Sequence, residues 1–157
     1  MKAATISEIK NNLKEQTAPI VLELCLRLAR YKKENKELLT YLLFEAHDPD
    51  GYIKNVKEEM ITAFKEINTT NLYWTKKSLR KILRTTNKYI RYTGSKTVEV
   101  ELLLYYCQVL KESGISVLKS AALIKLYEGQ VKKIETTIES LHEDLQYEYK
   151  GQLNALK

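Results

Sequence analysis

Apolar residues recur at every third or fourth position along most of the chain, with charged or polar residues between them. Residues 52–67 show this pattern best. The apolar positions there are Ile53, Val56, Met60, Phe64 and Ile67. Because an α-helix turns once in about 3.6 residues, this spacing places all five side chains on one helix face. The pattern therefore predicts an amphipathic helix with one buried side.

The same reasoning predicts helices throughout the chain. The clearest break is HDPDG at 47–51, because Pro and Gly with two Asp residues favour a turn. We predict an all-α fold with seven or eight helices, as a compact bundle or a short stack of antiparallel helical hairpins. The sequence has no convincing repeat and no domain boundary, so 1–157 is predicted to be a single domain. The predicted helices cover about 7–15, 19–31, 34–46, 52–67, 72–92, 97–112, 117–127 and 130–149.

Some of these helices carry more specific predictions. Ser7 is the predicted N-cap of the first helix. The stretch IVLELCLRLARY (20–31) is apolar on most sides, so we expect its helix to be central and buried. Residues 98–104 begin with strand-like alternation, which leaves helix and strand open, although their length and helical neighbours favour helix. The last predicted helix has a heptad seam, too short for a coiled coil. The seam comprises Val131, Ile134, Ile138, Leu141 and Leu145.

Composition excludes several classes of protein. Only five Gly and two Pro among 157 residues argue against an all-β fold and against long disordered linkers. No apolar run approaches the roughly 20 residues of a membrane span, and no apolar stretch of a signal peptide follows Met1. Cys25 and Cys107 lie within apolar segments, which favours buried free thiols over a disulfide. We therefore expect a soluble cytoplasmic protein with no membrane association.

The net charge of +6 is concentrated in one part of the chain. Between Glu66 and Glu99 there are eight Lys or Arg and no acidic residue, whereas the rest has 18 basic and 20 acidic residues, a net of −2. Residues 134–149 show the opposite bias, with five acidic residues and no Lys or Arg. The excess positive charge therefore belongs to a single segment.

On a helix, seven of these cations fall within an arc of about 140°, and the apolar residues lie opposite. The segment is thus predicted to be a half-buried amphipathic helix, about 30 Å long, with a cationic outer face. We call these seven residues the cationic face. They are Lys76, Lys77, Arg80, Lys81, Arg84, Lys88 and Arg91.

Three interpretations of the cationic face stay open. It is paired or merely solvated, for example against the acidic stripe of Glu135, Glu139 and Glu143, within one chain or between subunits. It binds nucleic acid through phosphates, with Tyr73, Trp74 or Tyr92 stacking on bases. Or it binds an acidic protein or, least favoured, an anionic membrane surface.

The chain offers few catalytic candidates. The least favoured alternative is a metal-dependent nucleotide hydrolase with a Mg²⁺ site. If the third predicted helix extends past residue 46, its carboxylates Glu34, Glu37, Glu45 and Asp48 share one face. No phosphate-binding glycine loop, zinc motif or nucleophile motif is present, so no cofactor, metal or catalytic residue is predicted. We predict a non-catalytic binding or adaptor protein that uses residues 72–92. Sequence-independent nucleic-acid binding through the same residues is the alternative function. The expected partners are a protein, a second copy of the chain bound through the acidic C-terminal helix, or a nucleic acid.

Overall fold

The structure, a computed structural model, describes residues 1–156, and within them it contains eight α-helices and no strand. This confirms the all-α prediction. A π-helical turn (Tyr41–Glu45) follows α3, and a 3-10 turn (Val117–Lys119) precedes α7. The α-helices are α1 (Ile6–Lys14), α2 (Ala18–Tyr31), α3 (Lys33–Thr40), α4 (Pro49–Lys65), α5 (Leu72–Thr93), α6 (Lys96–Glu112), α7 (Ala121–Glu139) and α8 (Glu143–Asn154).

The chain forms two compact units, residues 1–44 and the residues from Glu45 onward. In the first unit, α1 begins with a capping box: the Thr5 hydroxyl accepts a hydrogen bond from the Glu8 amide, and the Glu8 carboxylate accepts one from the Thr5 amide. The N-cap is therefore Thr5 and the predicted Ser7 cap is wrong, because only Thr5 stands three residues before a Glu. Hydrogen bonding to Thr5 lowers the pKa of Glu8.

Helix α2 departs most from its predicted role. Pro19 lies in its first turn, but no α2 residue is buried, and Cys25 and Tyr31 are exposed. The predictions of a central helix and of a buried Cys25 are therefore wrong. The physical reason is that an all-round apolar helix needs neighbours on every side, and in the unit of residues 1–44 Tyr41 alone is buried.

In the second unit the central helix is α6, which packs against α4, α5, α7 and α8. Residues 98–104, for which the sequence left helix and strand open, lie within α6, so the prediction of a helix is confirmed. Tyr106 and Cys107 are fully buried. The other buried α6 positions are Val98, Val100, Leu102, Leu103, Leu104 and Leu110. These positions span an arc of about 240° around the axis, because several helices surround α6.

Polar contacts join α6 to three of its four neighbouring helices. The Tyr106 hydroxyl donates to the Leu79 carbonyl of α5 at 3.2 Å. Glu101 pairs with Lys57 of α4 at 2.6 Å, and Glu99 with Lys133 of α7 at 2.8 Å. Such partly exposed pairs stabilise little, but they fix the orientation of the helices around α6.

The C-terminal part folds differently from its prediction. Residues 121–139 form one helix, where the sequence predicted a boundary near 127–130, and a break at 140–142 separates α7 from α8. The Gln146 side chain donates to the carbonyls of Glu139 and Leu141, which supports this break. The predicted single helix over 130–149 is therefore wrong, and the heptad seam is interrupted, since Leu141 lies in the break between α7 and α8.

Candidate binding surface

The cationic face lies on α5, whose ends are fixed by its own sequence. The Asn71 side chain accepts from the Tyr73 amide at 2.7 Å and caps the start. Gly94, with a φ of 62°, ends the helix in the left-handed conformation that glycine adopts without strain. The segment predicted over 72–92 is thus a helix over Leu72–Thr93.

One side of α5 is buried in the second unit. Leu79, Ile82 and Ile90 are the buried apolar residues. The two buried threonines use their hydroxyl groups locally: Thr86 donates to the Ile82 carbonyl, and Thr75 donates to the carbonyls of Asn68 and Asn71. This burial fixes the rotation of α5, and with it the direction in which the charged residues point.

The seven predicted cations lie on the other side. Five are exposed and two, Lys76 and Lys88, are intermediate; the exposed ones are Lys77, Arg80, Lys81, Arg84 and Arg91. The Lys88 ammonium lies 5.1 Å from the centroid of the Tyr89 ring. The tertiary structure therefore leaves the cationic face open along most of its length.

Internal ion pairing does not neutralise most of these charges. Within residues 1–156, six of the seven cations form no ion pair with a carboxylate; they are Lys76, Lys77, Arg80, Lys81, Arg84 and Arg91. The predicted acidic stripe is divided, since Glu135 and Glu139 belong to α7 and Glu143 to α8. In the described part of the chain, neither Glu139 nor Glu143 pairs with any of the six.

Exposed aromatic rings extend the surface at the start of α5. Tyr73 and Trp74 are 61% and 48% exposed and meet edge to face, with ring centroids 5.2 Å apart. The Lys77 ammonium lies 4.9 Å from the Trp74 ring centroid, within the range of a cation–π contact. Tyr92, the third aromatic residue considered for stacking, is half-buried with its ring 6.3 Å from that of Tyr89. Cationic and aromatic groups thus adjoin at one end of α5.

A groove of about 250 Å³ between α4 and α5 was not anticipated from the sequence. Its lining includes the buried residues Val56, Met60 and Ile82 and the exposed Lys81. The Tyr89 hydroxyl donates to the Glu59 carboxylate at 3.0 Å across the helix pair. The groove is smaller than typical small-molecule sites, which begin near 300 Å³. It depends on two helices meeting, so no local sequence signal could have found it.

The candidate metal ligands do not form a cluster. Glu34 and Glu37 lie on α3, Glu45 ends the π-helical turn, and Asp48 caps α4 by accepting from the Gly51 amide at 3.0 Å. Glu37 lies 3.6 Å from the Lys33 ammonium. Among residues 1–156 no three His, Cys, Asp or Glu side chains are placed to hold a metal ion. The predicted break at HDPDG is present but shorter than five residues: only His47 and Asp48 lie outside the helix, because Pro49, Asp50 and Gly51 form the first turn of α4.

The second cysteine lies where the sequence predicted it. Cys107 is a free thiol, fully buried in α6, and burial raises its pKa to about 12. Because the thiolate is the reactive species, this thiol is unsuited to nucleophilic chemistry near neutral pH.

Within the described residues, a helix with both the length and the apolar character to cross a membrane is not found. Comparison with known protein families, with curated proteins and with solved structures finds no match to this chain.

Proposed function

We propose that the protein is a non-catalytic binding protein that docks an anionic partner on the cationic face of α5. The observation that carries this proposal is that six of its seven cations form no ion pair within residues 1–156, while the opposite side of the helix is buried. Charge that is neither paired nor needed for the core is available to a partner.

Repulsion among its own charges favours anion binding by the cationic face. Lys76, Arg80 and Arg84 follow each other at four-residue spacing, so each like-charged pair costs a few tenths of a kcal/mol in the free protein. An anionic partner removes this repulsion and releases its own counterions on binding. The cations are held on a helix with a fixed rotation, so the backbone that carries them needs no ordering on binding.

Sequence-independent nucleic-acid binding is the second candidate function. The exposed pair of Tyr73 and Trp74 favours it, because base stacking on aromatic rings contributes about 1–3 kcal/mol per base. Cations one helical turn apart fit the backbone contacts that such binding uses.

The test is fluorescence anisotropy with labelled single-stranded DNA, duplex DNA, RNA and a polyglutamate peptide, from about 20 to 200 mM salt. We compare wild type with Arg80→Glu/Arg84→Glu. The matched control is Lys125→Glu/Lys132→Glu, which makes the same charge change at two exposed positions of α7. Both double variants change the net charge by −4. A difference in affinity between them therefore reports on the cationic face of α5 and not on the total charge.

We expect the α5 variant to lose at least about tenfold in affinity, and the α7 control to lose much less. For nucleic acid, the logarithm of the affinity falls with that of salt concentration by about 0.9 per phosphate contact, and Trp74→Ala weakens single-strand binding further. If the protein binds polyglutamate but no nucleic acid, the proposed binding function is retained and nucleic-acid binding is excluded. Absence of all binding at the lowest salt, or equal losses in both double variants, contradicts the proposal.

A further inference from the structure

Helix α2 exposes more apolar surface than its surroundings cover. On a helical wheel its apolar positions span an arc of about 240°, and its only charged residues, Glu23, Arg27 and Arg30, fill the remaining strip. None of its residues is buried. Its large aliphatic side chains are between 40% and 61% exposed, and they are Ile20, Leu22, Leu24, Leu26 and Leu28.

A helix of this kind is not stable in water by itself. Isolated helices of fewer than about 12–15 residues are marginal, and α2 has 14 residues. A helix that is hydrophobic on most sides is normally buried. The exposed side chains of α2 amount to roughly 500 Å² of apolar surface, at the upper end of what a monomer leaves uncovered.

We propose that α2 is a self-association surface, which a second copy of the chain covers with its own α2 in the antiparallel direction. This surface is distinct from the cationic face of α5, and the inference does not depend on the function proposed above. It also differs from self-association through the acidic C-terminal helices, because no acidic residue of α7 or α8 takes part.

The charges of α2 identify the second copy as the occupant. Glu23 and Arg30 lie within about 20° of each other on the helical wheel, beside Leu26 at one edge of the apolar arc. In an antiparallel pair related by a two-fold axis, residues on the same edge of the two helices face each other. Glu23 of each copy therefore lies beside Arg30 of the other, in the reciprocal arrangement that a two-fold interface requires.

The exposed apolar surface of α2 alone is smaller than a stable dimer interface. A stable interface buries about 800 Å² per partner. The strip of Leu22, Leu26 and Ala29 lies between the two helices, and the wide arc leaves further apolar surface only on the side away from Glu23 and Arg30. The same unit exposes three more large apolar side chains; they are Leu42, Leu43 and Phe44.

Sedimentation equilibrium of the full chain, from about 1 to 100 μM, tests the inference. We expect wild type to be a dimer in this range. Glu23→Arg and Arg30→Glu each place like charges opposite one another and weaken the dimer by about tenfold or more, whereas the double variant restores affinity to near wild type. This restoration is the sharpest expected result, because a merely structural role of either residue would not produce it.

Two matched controls separate the surface from general effects. Leu22→Lys is expected to abolish the dimer, whereas Leu118→Lys, at an 83% exposed leucine of the second unit, leaves it intact. Glu128→Arg, at an exposed position of α7, is the control for Glu23→Arg. A monomeric wild type at every concentration overturns the inference. So does a double variant no tighter than the single variants, or a dimer that is lost only when Glu135, Glu139 and Glu143 are reversed.

Discussion

At the scale of single residues, Cys107 and its neighbour Tyr106 are the most perturbed titratable groups. Both side chains are fully buried in α6, and burial, which penalises the charged form, raises the pKa of each above its ordinary value. The Tyr106 hydroxyl keeps a partner in the Leu79 carbonyl. Both residues therefore belong to the core. Their raised pKa values affect the stability of the fold and do not make these groups reactive.

Stability is expected to fall in alkaline solution. The pKa of Cys107 is about 12 in the folded chain against 9.0 for the free thiol, so the unfolded chain releases a proton that the folded chain retains. This contribution is complete below about pH 9 and is lost as pH rises toward about 12. Denaturant unfolding at a series of pH values measures the loss, and Cys107→Ala should make it smaller. A variant with an unchanged pH dependence would contradict this account.

Cys107 should also resist labelling. In a Cys25→Ser variant it is the only thiol, and we expect a thiol reagent at neutral pH to modify it only on the timescale of local or global unfolding. Labelling followed by mass spectrometry, with and without denaturant, gives the comparison. Fast modification of the folded chain would show that the α6 core opens readily.

At the scale of the helix, a glycine has different effects at a helix end and in a helix interior. Gly94 ends α5 with a φ of 62°, whereas Gly129 lies inside α7 with nothing within 4 Å of an added Cβ. Any side chain is strained in the first conformation, but a helix interior favours alanine over glycine. The same Gly→Ala substitution therefore tests backbone strain at Gly94 and helix propensity at Gly129.

We expect Gly94→Ala to destabilise the protein by about 1 kcal/mol and Gly129→Ala to stabilise it by about 0.5–1 kcal/mol. Chemical denaturation gives the free energy of unfolding of both variants. Because the two variants add the same methyl group, each is a control for the other. Changes of the same sign at both positions would show that the conformation of Gly94 does not determine the effect.

At the scale of the whole molecule, the two units differ in how they are stabilised. The second unit has a core built around α6, in which Leu103 and Tyr106 are fully buried. Helices α1, α2 and α3 contain no buried residue. Cooperative protection against unfolding should therefore be concentrated in the second unit.

Hydrogen exchange should reproduce this difference. We expect the amides of α6 to exchange most slowly, near the rate of global unfolding, and those of α1 to exchange fastest. Leu103→Ala should cost about 2–5 kcal/mol and accelerate exchange throughout α4–α8, since it leaves a cavity in the shared core. If α1 and α6 were equally protected, the first unit would have stabilising contacts beyond those described.

The fold and the candidate surface were predictable to different depths. The bounds of α5 follow from local signals, since the apolar spacing, the Asn71 cap and Gly94 lie within or next to the helix itself. The break between α7 and α8 escaped prediction, because the apolar spacing from Val131 to Leu145 continues across it and the Gln146 contacts that stabilise it form only after folding. The groove between α4 and α5 likewise requires two helices to meet.

The sequence by itself determined where most helices lie and which residues of α5 share the cationic face. Both depend on the helical period, which acts over a few residues. Only the tertiary structure decided which apolar helix is central. The segments of α2 and α6 are both apolar on most sides, yet α6 is surrounded by four helices and α2 has no buried residue. Burial requires neighbours supplied by distant parts of the chain, or by another chain, and no local pattern records whether those neighbours are present.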